Sequence, residues 1–505
     1  MTLRLLAFAM AAAVSTFLIA PCAARGGDYE KQYDPDDCPV VEPTPPLKRE
    51  HGTYLEYAGG RLQRQSALEL SAIRDSLMLQ EPKTIVVHVH GGLVDRCSAF
   101  DDVDDLTNDY RASDAFPIFV IYHTGAAESV MAGALGGTGA YTVEDTRATP
   151  LLRRLARMSA DLKDREERGR LHASVHTTAM EGRYRYAAVL NGAMYRGGRA
   201  WSYMKWVIDQ SMRIDSAAGE PKVMTTGASF AENEPGGLAL ARVLHEYLDR
   251  TRSHQPVVVP RIVFVGHSTG AIYITKFIRA WHRDYSDDPT TFEVVFEAPA
   301  VRYDDFAQLF GSATAAPKPG VPVHPADRIE KFRTFAMRDA FERYTPELGA
   351  TFAYWIYGPS LLYAVSGVFE DFADTPLLGM QRFQCPPKDF ADYGAGPHDT
   401  PHEDKRSIKN VNEWLSTRFT HPFAYSPAIT DLVPTAFQTQ SVKHGNFPRE
   451  PVTRASIKAL VAKRANWEVN ETDRKKLDAI EGCEYDHKDV VFPRPSSTPG
   501  PGARK

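Results

Sequence analysis

The stretch 256–270, PVVVPRIVFVGHSTG, decides how this chain is read. An apolar, β-branched run ends directly in a Gly-x-Ser-x-Gly pentapeptide, and Ala271, Ile274, Phe277, Ile278 and Trp281 then recur at helical spacing. The order is therefore strand, tight turn with Ser268 at its tip, amphipathic helix. Gly266 and Gly270 suit such a turn because a residue without Cβ lets neighbouring chain pass close to the serine. The bare pentapeptide is common, so it is the strand before and the helix after that give it weight.

Outward from this stretch, four further runs have the same character: 84–90 (TIVVHVH), 116–122 (FPIFVIY), 292–296 (FEVVF) and 332–337 (FRTFAM). Continuously apolar strands alternating with segments suited to helices indicate a parallel sheet covered on both faces, and so an α/β fold. At about 150 residues per domain, 505 residues suggest two or three domains. Hydrophobic residues at 43% and charged residues at 24% exclude a chain disordered throughout, a collagen and a coiled coil. The 59 basic and 64 acidic residues are dispersed and the net charge is -5, so no broad basic face exists for nucleic acid.

A second motif, His90-Gly91-Gly92, closes the 84–90 run. With GHSTG and this turn the sequence resembles the α/β-hydrolase superfamily, in particular its serine esterases and lipases. The resemblance covers blocks at about 80–125, 236–345 and 430–465. It implies the α/β-hydrolase fold, a mostly parallel central sheet with helices on both faces, here carrying helical cap or lid insertions. It also implies an oxyanion hole from the backbone of Gly92 or Leu93 and of Thr269, and a triad in the order serine, acid, histidine.

Asp339 follows the 332–337 strand and is the expected acid, with Glu342, Glu370 and Asp371 as rivals. The expected base is His444 in SVKHGNF (441–447), ahead of a helix at about 453–464, and it is preferred over His398, His402, His421 and His487. The activity so implied is cleavage of a carboxylic ester, small or lipid-like, through an acyl-enzyme on Ser268, with no cofactor. Peptidases, thioesterases and acyltransferases share this machinery. A non-catalytic binding or adhesion protein on the same fold is the alternative.

Two histidine patterns invite a metal. His88 and His90 form an HxH pair, but Val86 and Val87 precede them and glycines follow, so His88 is expected to be a hydrogen-bonded core histidine. His398 and His402 lie in GPHDTPHEDK, where Pro401 argues against a helix and for a solvated loop. No metal site is expected.

The remaining segments divide as follows. Residues 1–24 read as a signal peptide with Arg4, an apolar stretch at 5–20 and cleavage after Ala24, implying a periplasmic or secreted protein with no stable transmembrane segment after cleavage. A lipoprotein anchor at Cys22 is the rival, disfavoured by Pro21. In an oxidising compartment Cys38, Cys97, Cys385 and Cys483 form an even set that could hold two disulfides in any of three pairings. Residues 25–50 read as a linker, 51–125 as the first part of the core, 126–235 as a helical cap insertion and 236–345 as the core with nucleophile and acid. Residues 346–430 read as a second insertion, 431–492 as the end of the core and 493–505 as a disordered tail.

Overall fold

The computed structural model describes residues 52–62, 64–92, 94, 96–123, 193–213, 230, 233–254, 259–311, 320–344, 360–370, 375–384, 402–428 and 434–481. Eight strands form one sheet: β1 (Tyr54–Ala58), β2 (Arg61–Leu62), β3 (Thr84–Val89), β4 (Phe116–Tyr122), β5 (Arg261–His267), β6 (Phe292–Glu297), β7 (Ile329–Met337) and β8 (Phe423–Ser426). Their spatial order is β2-β1-β4-β3-β5-β6-β7-β8, and every pairing is parallel except the β1–β2 hairpin. The protein is thus of the α/β class with a mostly parallel sheet.

The strands form where apolar runs can be buried on both sides. Every residue of β3, β4 and β6 is buried. Successive side chains point to opposite faces. His88 on β3 meets Tyr110 of helix Arg96–Arg111, while Phe264 on β5, from the opposite parity of the paired strands, packs on Phe277 of helix Gly270–Asp284 with ring centroids 5.1 Å apart. Each large apolar side chain so buried contributes about 1.5–3 kcal/mol of transfer free energy.

Arg261 opens β5 and ties the sheet to the last part of the chain. Its Nε and Nη2 reach both carboxylate oxygens of Glu293 on β6 at 2.9 and 2.6 Å. Its guanidinium also donates to the carbonyls of Val461 (2.9 Å) and Leu460 (3.3 Å), at the end of helix Pro451–Ala462. These last carbonyls have no partner within their own helix, and a cation satisfies them.

Some boundaries differ from the sequence reading. β8 lies inside the stretch 346–430 expected as an insertion, and helix His402–Arg418 occupies the same stretch, so the core resumes earlier. His402 begins that helix rather than a loop, directly after Pro401, which can precede a helix but not sit within one. β5 starts at Arg261 and not at residue 256. Helix Ala193–Ser211, from the expected cap, buries Trp201, Met204, Val207 and Ile208 in the central hydrophobic cluster. The expected signal, linker and tail lie outside the described residues, as do Cys22, Cys38, Cys385, Cys483, Leu93 and Asp371. Cys97 falls on helix Arg96–Arg111. No helix among the described residues is long and apolar enough to cross a membrane.

Candidate active site

Ser268 stands between β5 and helix Gly270–Asp284 with φ at +53°. A non-glycine residue in this region carries about 1–3 kcal/mol of strain and persists only where its surroundings hold it. Here its N–H donates to the Glu297 carbonyl at 2.8 Å and its carbonyl accepts from Ala300 N–H at 3.0 Å. Both bonds anchor the turn to the end of β6. Gly270 is required by close approach, because a Cβ there would stand 2.4 Å from the backbone oxygen of Val89.

His444 opens a short 3-10 helix, His444–Arg449, and its Nε2 lies 2.9 Å from Ser268 Oγ. The loop bearing it is closed by Glu450. That carboxylate accepts from Val452 and Thr453 N–H at 2.8 Å each, capping helix Pro451–Ala462, and from Gln440 N–H at 3.0 Å on the other side of the loop. His267 supplies a further hold, its Nε2–H donating to the His444 carbonyl at 2.9 Å. Burial, and then the neighbouring His267 ring, holds the His444 imidazole well below its ordinary pKa. The ring is therefore neutral near pH 7 and can accept the Ser268 proton.

Gly92 follows β3 beside Thr269, and a Cβ on it would lie 2.9 Å from Thr269 Cγ2 and 2.4 Å from Met204 Sδ. Thr269 is the N-cap of helix Gly270–Asp284, so its own N–H belongs to the group that a helix leaves without an internal partner. Among the described hydrogen bonds, neither Gly92 N–H nor Thr269 N–H is engaged. The expected donors Gly92 and Thr269 are thus adjacent, next to Ser268. Ser268 and His444 are 5% and 2% exposed, so the pair is screened from bulk water.

The acid candidates are spread more widely. Asp339 begins helix Asp339–Tyr344 just beyond β7, is buried, accepts from the Tyr363 hydroxyl and is fixed by its N–H donating to Gln381 Oε1 at 2.8 Å. Glu342 is fully buried on the same helix. Glu370, also fully buried, is occupied elsewhere: Trp201 Nε1 at 2.5 Å, Lys205 Nζ at 2.8 Å and Arg302 Nη1 at 3.4 Å all donate to its carboxylate. It pins helix Ala193–Ser211, and through Met204 this helix rests on the Gly92 turn. Replacing Glu370 by alanine leaves Trp201 N–H without its buried acceptor and Lys205 without its counter-ion. A loss of about 2–3 kcal/mol is expected in denaturant unfolding, and Glu370→Gln, which keeps an acceptor, should lose less.

His88 is the core histidine expected, 2% exposed with Nδ1 2.9 Å from the Tyr110 hydroxyl, and burial lowers its pKa to about 3. His90 is held at both ring nitrogens, by Tyr122 N–H at Nε2 and by the Gly91 carbonyl at Nδ1. Among the described residues the side chains grouped closely enough to hold a metal are His245, Asp249 and Asp288, away from both patterns considered in the sequence. Asp288 is already paired with Arg252 at 2.7 Å.

Sequence reasoning missed the parts played by His267, Tyr122 and Glu297. His267 sits inside the pentapeptide itself and Tyr122 is the last residue of a recognised strand, so position alone was the available signal. No protein-family model, no curated protein and no solved structure matches the chain.

Proposed function

We propose that the chain is an exported serine hydrolase with an α/β-hydrolase fold, acting on a carboxylic ester. One observation carries the reading: a strained, buried Ser268 at a strand-to-helix turn, with its Oγ 2.9 Å from the Nε2 of an imidazole that burial keeps neutral. In the proposed reaction His444 takes the proton from Ser268 Oγ as the oxygen attacks the acyl carbon. The developing oxyanion is held by Gly92 N–H and Thr269 N–H, and each such donor is worth about 3 kcal/mol. His444 returns the proton to the leaving alcohol, and water then releases the acid by the same steps in reverse. Asp339 is assigned the role of orienting the imidazole.

A fluorophosphonate probe tests this directly. The wild-type chain is expected to be labelled and Ser268→Ala is not; a wild-type chain that resists the probe, or an alanine variant labelled equally well, rules the reading out. p-Nitrophenyl esters of graded chain length then measure acyl preference.

A further inference from the structure

Tyr122 ends β4 two strands away from Ser268, yet it touches both turns that carry the proposed oxyanion donors. Its N–H donates to His90 Nε2 at 3.1 Å and its ring stacks on the imidazole with centroids 4.4 Å apart and planes at 16°. Its hydroxyl donates to the His90 carbonyl at 2.9 Å and lies 2.7 Å from Thr269 Oγ1. A phenol has one proton, and the carbonyl takes it, so in the second bond the Thr269 hydroxyl is the donor. Burial raises the phenol's pKa and it stays protonated.

The bond to His90 Nε2 has a second effect. Because that nitrogen accepts, the imidazole proton resides on Nδ1, which donates to the Gly91 carbonyl at 2.6 Å. Burial lowers the His90 pKa to about 4, so this tautomer persists across the neutral range. The Gly91 carbonyl and the Gly92 N–H belong to one planar trans peptide and point in opposite directions. Gripping the oxygen therefore aims the N–H.

We infer that Tyr122 is a positioning residue that sets the separation and aim of the Gly92 and Thr269 backbone amides, acting through His90 on one side and the Thr269 hydroxyl on the other. This rests on the serine-hydrolase reading above. Oxyanion donors work because they are fixed before charge develops. A displacement of about 1 Å can cost on the order of 100-fold in rate.

The test uses the full chain and turnover of a p-nitrophenyl ester per serine titrated by the fluorophosphonate, which corrects for any misfolded fraction. Tyr122→Phe keeps the stacked ring and the main-chain bond but loses both hydroxyl contacts. A fall in kcat of about tenfold or more is expected, with KM within about twofold of wild type. Thr269→Val should show the same split, and Thr269→Ser, which keeps a hydroxyl, should recover turnover that valine loses. If wild type is labelled and active while Tyr122→Phe matches its kcat per titrated serine, or loses rate only through KM, the inference is wrong and the hydrolase reading stands. A wild-type chain that neither labels nor turns over removes both.

Discussion

Alanine at His444 is expected to lower ester turnover about 10⁴-fold or more, to the same floor reached by Ser268→Ala and by the double variant. Two groups that act as one unit lose their whole contribution when either is removed, so the second substitution has nothing left to cost. The pair is joined by one 2.9 Å hydrogen bond, which is the unit in question. Rates for the three variants, measured against a p-nitrophenyl ester, decide the point: multiplicative losses in the double variant would show two independent effects. The pH profile adds a second constraint. His444 must be neutral to accept a proton, and burial with the His267 ring beside it holds its pKa well below 6.5. The acid limb of kcat/KM in the wild type should accordingly fall well below that pH, with the plateau extending through neutrality.

The Glu297 carboxyl is expected to make the folded state less stable as pH rises. Its side chain is fully buried at the end of β6, and neither carboxyl oxygen has a hydrogen-bond partner among the described residues. It lines a small cavity with His88, Tyr110, Pro448, Arg454 and Lys458. Burial, followed by the charge of Asp102, pushes its pKa from 4.5 up to about 8. Below about pH 4.5 the group is protonated whether the chain is folded or not. Between there and about pH 8 the unfolded chain gives up a proton that the folded chain keeps, so stability falls by about 1.4 kcal/mol per pH unit, several kcal/mol in all. Glu297→Gln has nearly the same shape and no such titration. Urea unfolding of both proteins from pH 4.5 to 8.5 should show the variant gaining steadily on wild type as pH rises, and parallel curves would falsify the assignment.

Five strands were legible in the sequence, because runs such as TIVVHV and FPIFVIY bury both faces and therefore show no alternation. The pentapeptide and the glycine turn after β3 were legible for a related reason: close backbone approach tolerates few residue types, as Gly270 against Val89 demonstrates. β8 was not. It has four residues, FAYS, between Pro422 and Pro427, too short for a period to register. β1 was hidden beside a proline-rich segment, and helix His402–Arg418 by its polarity, with HEDKR in its first turns. The start of β5 was placed too early because Val257, Val258 and Val259 look like strand, whereas Pro260 cannot donate to a ladder.

Within the site, Ser268 and His444, whose side chains lie 2.9 Å apart, were singled out from local pattern. The partners that fix them could not be, since Tyr122 reaches Thr269 across 147 residues and His267 reaches the His444 carbonyl across 177. Glu370, a rival to Asp339 in the sequence, shows the converse limit of local pattern. An acidic residue after an apolar run fits the pattern of a triad member, but three donors from distant segments claim its oxygens.

The clamp formed by Arg261 and Glu450 on helix Pro451–Ala462 also bears on when the Ser268–His444 pair can come together. β5, its serine turn and the end of β6 that anchors the turn are all present once Ala300 has been made, while His444 and the helix that secures its loop follow more than 140 residues later. A chain made or exported amino-terminus first can thus have a formed serine turn and, on the proposed reading, no base to use it. Closing so long a loop is slow compared with local helix formation. Assembly of the Ser268–His444 pair would then be a late event in maturation, and its appearance a chemical readout that the carboxyl-terminal part has docked.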